Sequence, residues 1–262
     1  MNVRLIRRPR SLSRFSVVVG FLLISSAALT RMAGGADSEE GFTPIFDGKT
    51  LDGWDGNPQF WRVEDGAISG QTTKENPTKG NTFIIWRKGQ PSDFELRFEF
   101  RMSGGNSGVQ YRSVELEKVG KWVCGGYQYD MDAADQWTGG VYAERDRGIV
   151  CVRGQKVILG DDHKPKVVGE VGDKEELKKI VKKEDWNTGS VIARGFHFVQ
   201  TLNGRVMCEM TDEDKEMRRK DGIIALQLHA GAPMKIQFRN IRLKILKGED
   251  PTSPDTKAEE KK

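Results

Sequence analysis

Apolar and polar residues alternate with a period of two through most of this chain. From 94 to 102, Phe94, Leu96, Phe98 and Phe100 interleave with Glu95, Arg97, Glu99 and Arg101, which predicts a strand with one buried and one wet face. The stretch 196–212 sets Asn203-Gly204 between two alternating runs. That dipeptide tolerates positive φ at both central positions and predicts a tight hairpin. Further on, Met234, Ile236 and Phe238 fall on even positions, then Ile241, Leu243 and Ile245 on odd ones. A strand changes parity only by inserting a residue, so a bulge is expected near Arg239 and Asn240.

One segment follows a different period. Asp173 is placed to cap a helix, Glu176 stands three residues on, and Leu177, Ile180 and Val181 form one stripe with lysines toward the C-terminal end. This helix belongs to an insertion, 155–188, that interrupts the strand pattern. Many short strands, frequent Gly turns and one helical insertion predict an all-β protein: two antiparallel sheets packed face to face as a jelly-roll sandwich, with one short helix.

Four strands share a further regularity. In 106–112 the even positions are Gly108, Gln110 and Arg112; in 126–132 they are Gln128, Asp130 and Asp132; in 139–144 they are Tyr142 and Glu144. In 222–230, Gln227 and His229 lie opposite Ile224, Leu226 and Leu228. Each strand therefore offers one apolar face and one face of amides, carboxylates, a guanidinium, a phenol or an imidazole. On a shared sheet these groups form one patch. The patch is poor in the lysines that mark the chain's other exposed positions, and directional hydrogen-bonders of this kind suit sugar hydroxyls. Trp122 and Trp137 flank the second strand and are candidate stacking planes. Glu144, Asp130, Asp132 and His229 are the titratable members, suited to acid–base chemistry. The E-x-D-x-x-E arrangement of laminarinase-type glycosidases is absent.

Composition changes this picture little, but charge does at one end. Of 262 residues, 37% are hydrophobic and 31% charged, an ordinary globular balance. Residues 1–36 hold six Arg and no acid; five of them, Arg4, Arg7, Arg8, Arg10 and Arg14, precede an apolar run from Phe15 to Leu29 and then small residues, the order of a cleaved secretory signal. Taking those six from the 42 basic residues leaves 36 against 38 acidic. The basicity belongs to the leader, no nucleic-acid partner is expected, and no membrane span is expected in the mature chain. The expected organisation is signal and cleavage region 1–36, folded domain 41–246, and a disordered charged tail 248–262. Cys124, Cys151 and Cys208 show no metal-ligand spacing and read as buried free thiols, with one disulfide as the alternative. With three histidines a multi-histidine metal site is not expected; a carboxylate-held divalent ion stays open, as does a pairing of His229 with Asp132.

The motifs FTPIFDGKTLDGW, FWRVEDGAISGQ, DFELRFEFRMSGGNSGVQYR, GYQYDMDAA, GGVYAERDRG and GIIALQLHAGAPMKIQFRNIRLK, in that order, resemble the bacterial 3-keto-disaccharide hydrolase domain. The resemblance runs from about Gly41 to Leu246. It implies a concanavalin A-like fold, location in the periplasm or beyond, and cleavage of glycosides oxidised at C3. Cleavage proceeds by hydrolysis or by 1,2-elimination and hydration, with a divalent metal in some members and no nucleotide cofactor. On this reading Glu144, His229 and Asp132 are the catalytic candidates. Arg112, Arg145 or a metal on Asp132 steadies the enolate. Gln110, Gln128, Asp130, Tyr142 and Gln227 bind the carbohydrate substrate. The alternative is a non-catalytic, lectin-like carbohydrate-binding module.

Overall fold

The structure is a computed structural model and describes residues 41–247. The expected signal, 1–36, and the expected tail, 248–262, lie outside the described residues. In chain order the first strands are β1 (Thr43–Pro44), β2 (Trp54–Gly56), β3 (Trp61–Glu64), β4 (Ala67–Gln71), β5 (Thr82–Trp86) and β6 (Phe94–Ser103). Then come β7 (Asn106–Glu115), β8 (Cys124–Asp132), β9 (Val141–Glu144), β10 (Gly148–Cys151), β11 (Gln155–Leu159) and β12 (Pro165–Glu170). Helix α1 (Lys174–Lys178) precedes β13 (Asn187–Arg194), β14 (His197–Leu202), β15 (Arg205–Asp212), β16 (Ile223–Leu228) and β17 (Lys235–Ile245).

These strands build the expected sandwich. A 10-stranded sheet runs β12-β11-β15-β14-β13-β6-β17-β4-β3, with β1 on β17; a 7-stranded sheet runs β10-β9-β8-β7-β16-β5-β2. Alternation sets the core between them. Phe94, Leu96 and Phe98 of β6 are fully buried, as are Tyr111 of β7 and Tyr129 and Met131 of β8. Buried phenols need partners: Tyr129 donates to the Thr201 carbonyl at 3.0 Å and Tyr111 pairs with the Gln200 side chain at 2.9 Å. The Asn203-Gly204 turn has φ of 47° and 80°, the two left-handed residues that its hairpin geometry demands. The bulge falls between Arg239 and Arg242, with Asn240 at φ 50°.

One detail differs from the expectation of wholly antiparallel sheets. The insertion adds two strands ahead of its helix: β11 lies parallel to β15 and β12 pairs with β11, so the first sheet is mixed rather than wholly antiparallel. The expected short helix is present: it spans Lys174–Lys178 and is capped by Asp173, whose carboxylate accepts from the Glu176 amide at 2.8 Å. So short a helix has little stability of its own. Leu177 is its one buried residue, and Asn187 holds the chain beyond it by exchanging hydrogen bonds with Lys182 at 2.9 and 2.7 Å. All three cysteines are free and buried. No described helix is long and apolar enough to cross a membrane.

Candidate active site

The outer face of the 7-stranded sheet is divided. At one end Phe83, Ile85, Cys124, Ile223 and Ala225 form a small second core beneath Trp122, whose indole N–H donates to Asp55 at 2.8 Å. Trp122 is therefore a lid on that cluster and not a stacking plane. The remaining part is polar and opens into a cleft of about 460 Å³. Its walls carry Asn81, Asn106, Gln128, Asp130, Asp132, Tyr142, Glu144 and His229, together with Trp137 and Ile149. Trp137 and Ile149 are large apolar side chains with 37% and 48% exposure, which supplies the stacking surface expected of Trp137.

Register explains why these groups meet. Gln110 sits opposite Gln128, and Gln128 opposite Tyr142, so one lateral row crosses three strands; the next row pairs Gly108 with Asp130. Gly108 is required there, because a Cβ would lie 2.3 Å from the Gln128 side chain. Glu144, only 7% exposed, accepts from the Gln227 amide at 3.0 Å and from the Asn81 amide at 3.3 Å. Asn81 is oriented in turn by the Ala230 backbone N–H, 3.0 Å from its Oδ1. His229 Nδ1 lies 2.5 Å from the Ala230 carbonyl. A carbonyl only accepts, so Nδ1 carries the proton and Nε2 of the neutral ring is a bare lone pair. Asp130 Oδ1 accepts from Asn106 at 3.1 Å, Gln128 at 3.2 Å and the Met131 N–H at 3.1 Å. Burial, reinforced by the Asp132 charge, nevertheless pushes its carboxyl up to about 7. Burial and then the Glu144 and Asp130 charges push the Tyr142 phenol up, so it remains a neutral O–H donor at physiological pH.

The structure redistributes several expected roles. Glu144, His229, Asp130, Asp132, Tyr142 and Gln128 reach the cleft. Gln110 and Gln227 are fully buried beneath it and are engaged with Gln128 and Glu144, so they hold other side chains instead of facing a ligand. Arg112 is a correction. The register shifts between Tyr111 and Val114, and Arg112 at φ 43° turns inward. Its guanidinium lies 4.9 Å over the Phe198 ring in the core and donates to the carbonyls of Ser92, Gly195 and Arg219. Arg145 is a second correction: it is exposed on the turn after β9 at φ 52° and lines no part of the cleft. Asp132 is committed to its own loop, accepting from the backbone N–H groups of Gln136 and Trp137 at 3.0 and 2.8 Å and from Thr138. It fixes the loop bearing Trp137, as a capping carboxylate fixes a helix start.

Two cleft residues, Asn81 and Asn106, are missing from the expected site: Asn106 opens β7 on the same parity as Gly108 and Gln110, so its strand face carried the signal, whereas Asn81 lies outside any strand. Asn81 precedes β5 and meets Glu144 across 63 residues of sequence; nothing local signals that contact.

The donors do not fit a protein-held divalent metal. Among the described residues no three His, Cys, Asp or Glu side chains come together as a ligand set. The lone pairs of Glu144 and Asp132 already accept from amide and hydroxyl groups, whereas a hard cation needs several oxygens turned toward it.

The profile of the 3-keto-alpha-glucoside-1,2-lyase-like domain matches residues 41–244. The chain belongs to this family. A Bacteroides thetaiotaomicron protein named 3-keto-disaccharide hydrolase is 35% identical over 92 residues. That match spans 31% of this chain and 31% of the relative's length. Two solved structures from Parabacteroides distasonis, each provisionally named a glycosyl hydrolase, share the fold. One has a TM-score of 0.53 at 22% identity, covering 79% of this chain and 95% of that one. The other has 0.52 at 22% identity, covering 78% and 99%.

Proposed function

We propose that this family member is an exported enzyme that cleaves the glycosidic bond of 3-keto-glycosides by proton transfer at C2. One observation carries the reading: Glu144, Asp130 and the His229 ring border one cleft with neutral amide and phenol donors and an apolar wall. That mixture suits a reaction built on moving protons around a polar ring.

A ketone at C3 acidifies the C2 hydrogen. Glu144 or His229 Nε2 takes that proton, and the C2–H electron pair forms the enolate, whose negative charge rests on the C3 oxygen. With Arg112 and Arg145 elsewhere, the donors for this oxygen are the Tyr142 hydroxyl and the amides of Asn81 and Asn106. The C1–O bond then breaks, its electrons leave on the departing oxygen, and Asp130, protonated in part near neutrality, supplies the proton. Water adds back across the enone, hydroxide at C1 and hydrogen at C2, and the net result is hydrolysis.

The test is incubation of the purified chain with 3-keto-trehalose and 3-keto-glucosides in D₂O, followed by NMR, with and without EDTA. The expected products are free 3-keto-glucose carrying deuterium at C2, at equal rates in both conditions. Product without deuterium contradicts the elimination route. Binding without product assigns the fold to a lectin-like module. Export rests on the Arg-rich, apolar residues 1–36; N-terminal sequencing of protein recovered outside the cytoplasm checks it.

A further inference from the structure

A file of side chains runs beneath the cleft floor and ends on Asp130. The Ser113 hydroxyl lies 2.6 Å from Gln110 Oε1, Gln110 Nε2 lies 2.7 Å from Gln128 Oε1, and Gln128 Nε2 lies 3.2 Å from Asp130 Oδ1. Ser113 and Gln110 are fully buried and Gln128 is 1% exposed. Buried amides away from water keep one orientation, since rotating either would set acceptor against acceptor or donor against donor. The file is polar in one sense: Ser113 donates into it, each amide accepts from the group behind and donates to the one ahead, and Asp130 accepts at its end. Three tight places hold it still. Gly108 leaves room for Gln128 to lie across β7, a Cβ on Gly126 would fall 2.6 Å from Ser113 Oγ, and the Gln110–Gln128 pair is locked by strand register.

We propose that Ser113, Gln110 and Gln128 form an amide relay that positions Asp130 and sets how tightly it holds its proton. They are positioning residues: Ser113 and Gln110 are fully buried, and Gln128, which borders the cleft, is 1% exposed with its amide turned to Gln110 and Asp130. The relay deepens the acid role given to Asp130 above and rests on that reading, but its geometry makes a claim that can be read without turnover. An N–H aimed at a carboxylate favours the charged form. By presenting one donor here, the relay opposes burial and keeps Asp130 able to both give and accept a proton near neutrality. Without it, the carboxyl stays protonated to higher pH and cannot be recharged between turnovers.

The experiment follows the Asp130 carboxyl ¹³C resonance and the Gln110 and Gln128 side-chain ¹⁵N resonances against pH in the wild-type chain. All three are expected to move with one shared midpoint. Gln110 and Gln128 resonances that stay flat while Asp130 titrates would overturn the relay. Gln128→Met, which keeps the volume and removes the donor, should raise the Asp130 midpoint by about one pH unit, the worth of one hydrogen bond to a charged group. Ser113→Ala should raise it by less. A midpoint unmoved in either folded variant contradicts the proposal, and the wild-type resonances decide it should both variants fail to fold. The alkaline limb of kcat/KM on a 3-keto-glucoside, where the acid loses its proton, should shift with the same midpoint. If the wild-type chain turns over no such substrate while the three resonances still titrate together, the functional reading fails and the relay stands.

Discussion

Replacing Arg112 by Met separates a structural from a ligand-binding guanidinium. The side chain is fully buried and makes five contacts: to Ser92 O at 2.9 and 2.6 Å, Gly195 O at 2.5 Å, Arg219 O at 3.2 Å and Asp93 Oδ1 at 3.0 Å. Met fills much of the space but donates nothing, leaving three part-buried carbonyls without this partner. An orphaned buried acceptor costs about 1–3 kcal/mol. The Asp93 carboxylate has 28% side-chain exposure and turns to water, so its share is small. Because the contacts share one side chain their losses do not add, and about 3–5 kcal/mol is the expected total, the range for breaking a buried charged site. For a domain of this size that lowers Tm by about 6–20 °C. Thermal melts by circular dichroism, paired with KM on a 3-keto-glucoside below the transition, make the assay. A large fall in Tm with KM within about twofold of wild type is expected. An unchanged melt with a tenfold higher KM would place the guanidinium on the substrate and refute the inward assignment.

Three other perturbations follow from the same geometry. The Asp130 carboxyl is raised toward 7 on folding, so its contribution to stability is fully present below about pH 4 and is lost as pH climbs through 7. Asp130→Asn should therefore melt higher than wild type at pH 8 and alike at pH 4, while losing activity; equal melts at both pH values contradict this. His163 is raised by its hydrogen bond to Asp214, 2.7 Å away, so the pair stabilises the fold at pH 5 and fades as pH rises past the histidine's folded midpoint. Melts of His163→Ala should fall below wild type at pH 5 and converge with it at pH 9, and an equal deficit at both excludes the ion pair. Asp132→Ala removes the acceptor for the Gln136 and Trp137 N–H groups. The cost should resemble a lost cap, about 0.5–2 kcal/mol, with KM rising more than kcat falls as Trp137 loosens; a change confined to kcat assigns Asp132 to the chemistry.

The pattern of side chains made the sandwich legible because period two is a rigid rule within an uninterrupted strand. It placed Tyr142 and Glu144 outward with Val141 and Ala143 inward, and the structure buries Val141 and Ala143 at 2% and 1% exposure. The rule fails where a strand bulges. Arg112 shares parity with Gln110 in the sequence, yet the break after Tyr111 sends it to the opposite side, and no residue type nearby announces the break as Asn203-Gly204 announces its turn. Depth is equally invisible. Gln110 and Gln227 lie on the right face, but neighbouring side chains of the same molecule bury them, which only tertiary packing decides. Asp132 shows the same limit in another form: its carboxylate is consumed by N–H groups four and five residues on, a local motif that resembles a free catalytic acid until the loop is seen. The strands inside the insertion are not legible, since QKVIL and PKVVGE are too short and too weakly alternating to stand out beside the lysine-rich helix that follows.

The central claim is that the cleft around Glu144 moves protons on a 3-keto sugar, and single-turnover kinetics of Glu144→Gln test it most directly. Gln keeps the shape and one amide oxygen for Gln227 or Asn81 to meet, so the melt should match wild type while the cleavage rate on a 3-keto-glucoside falls by about 10²–10⁴. A folded variant that cleaves within threefold of the wild-type rate would contradict it.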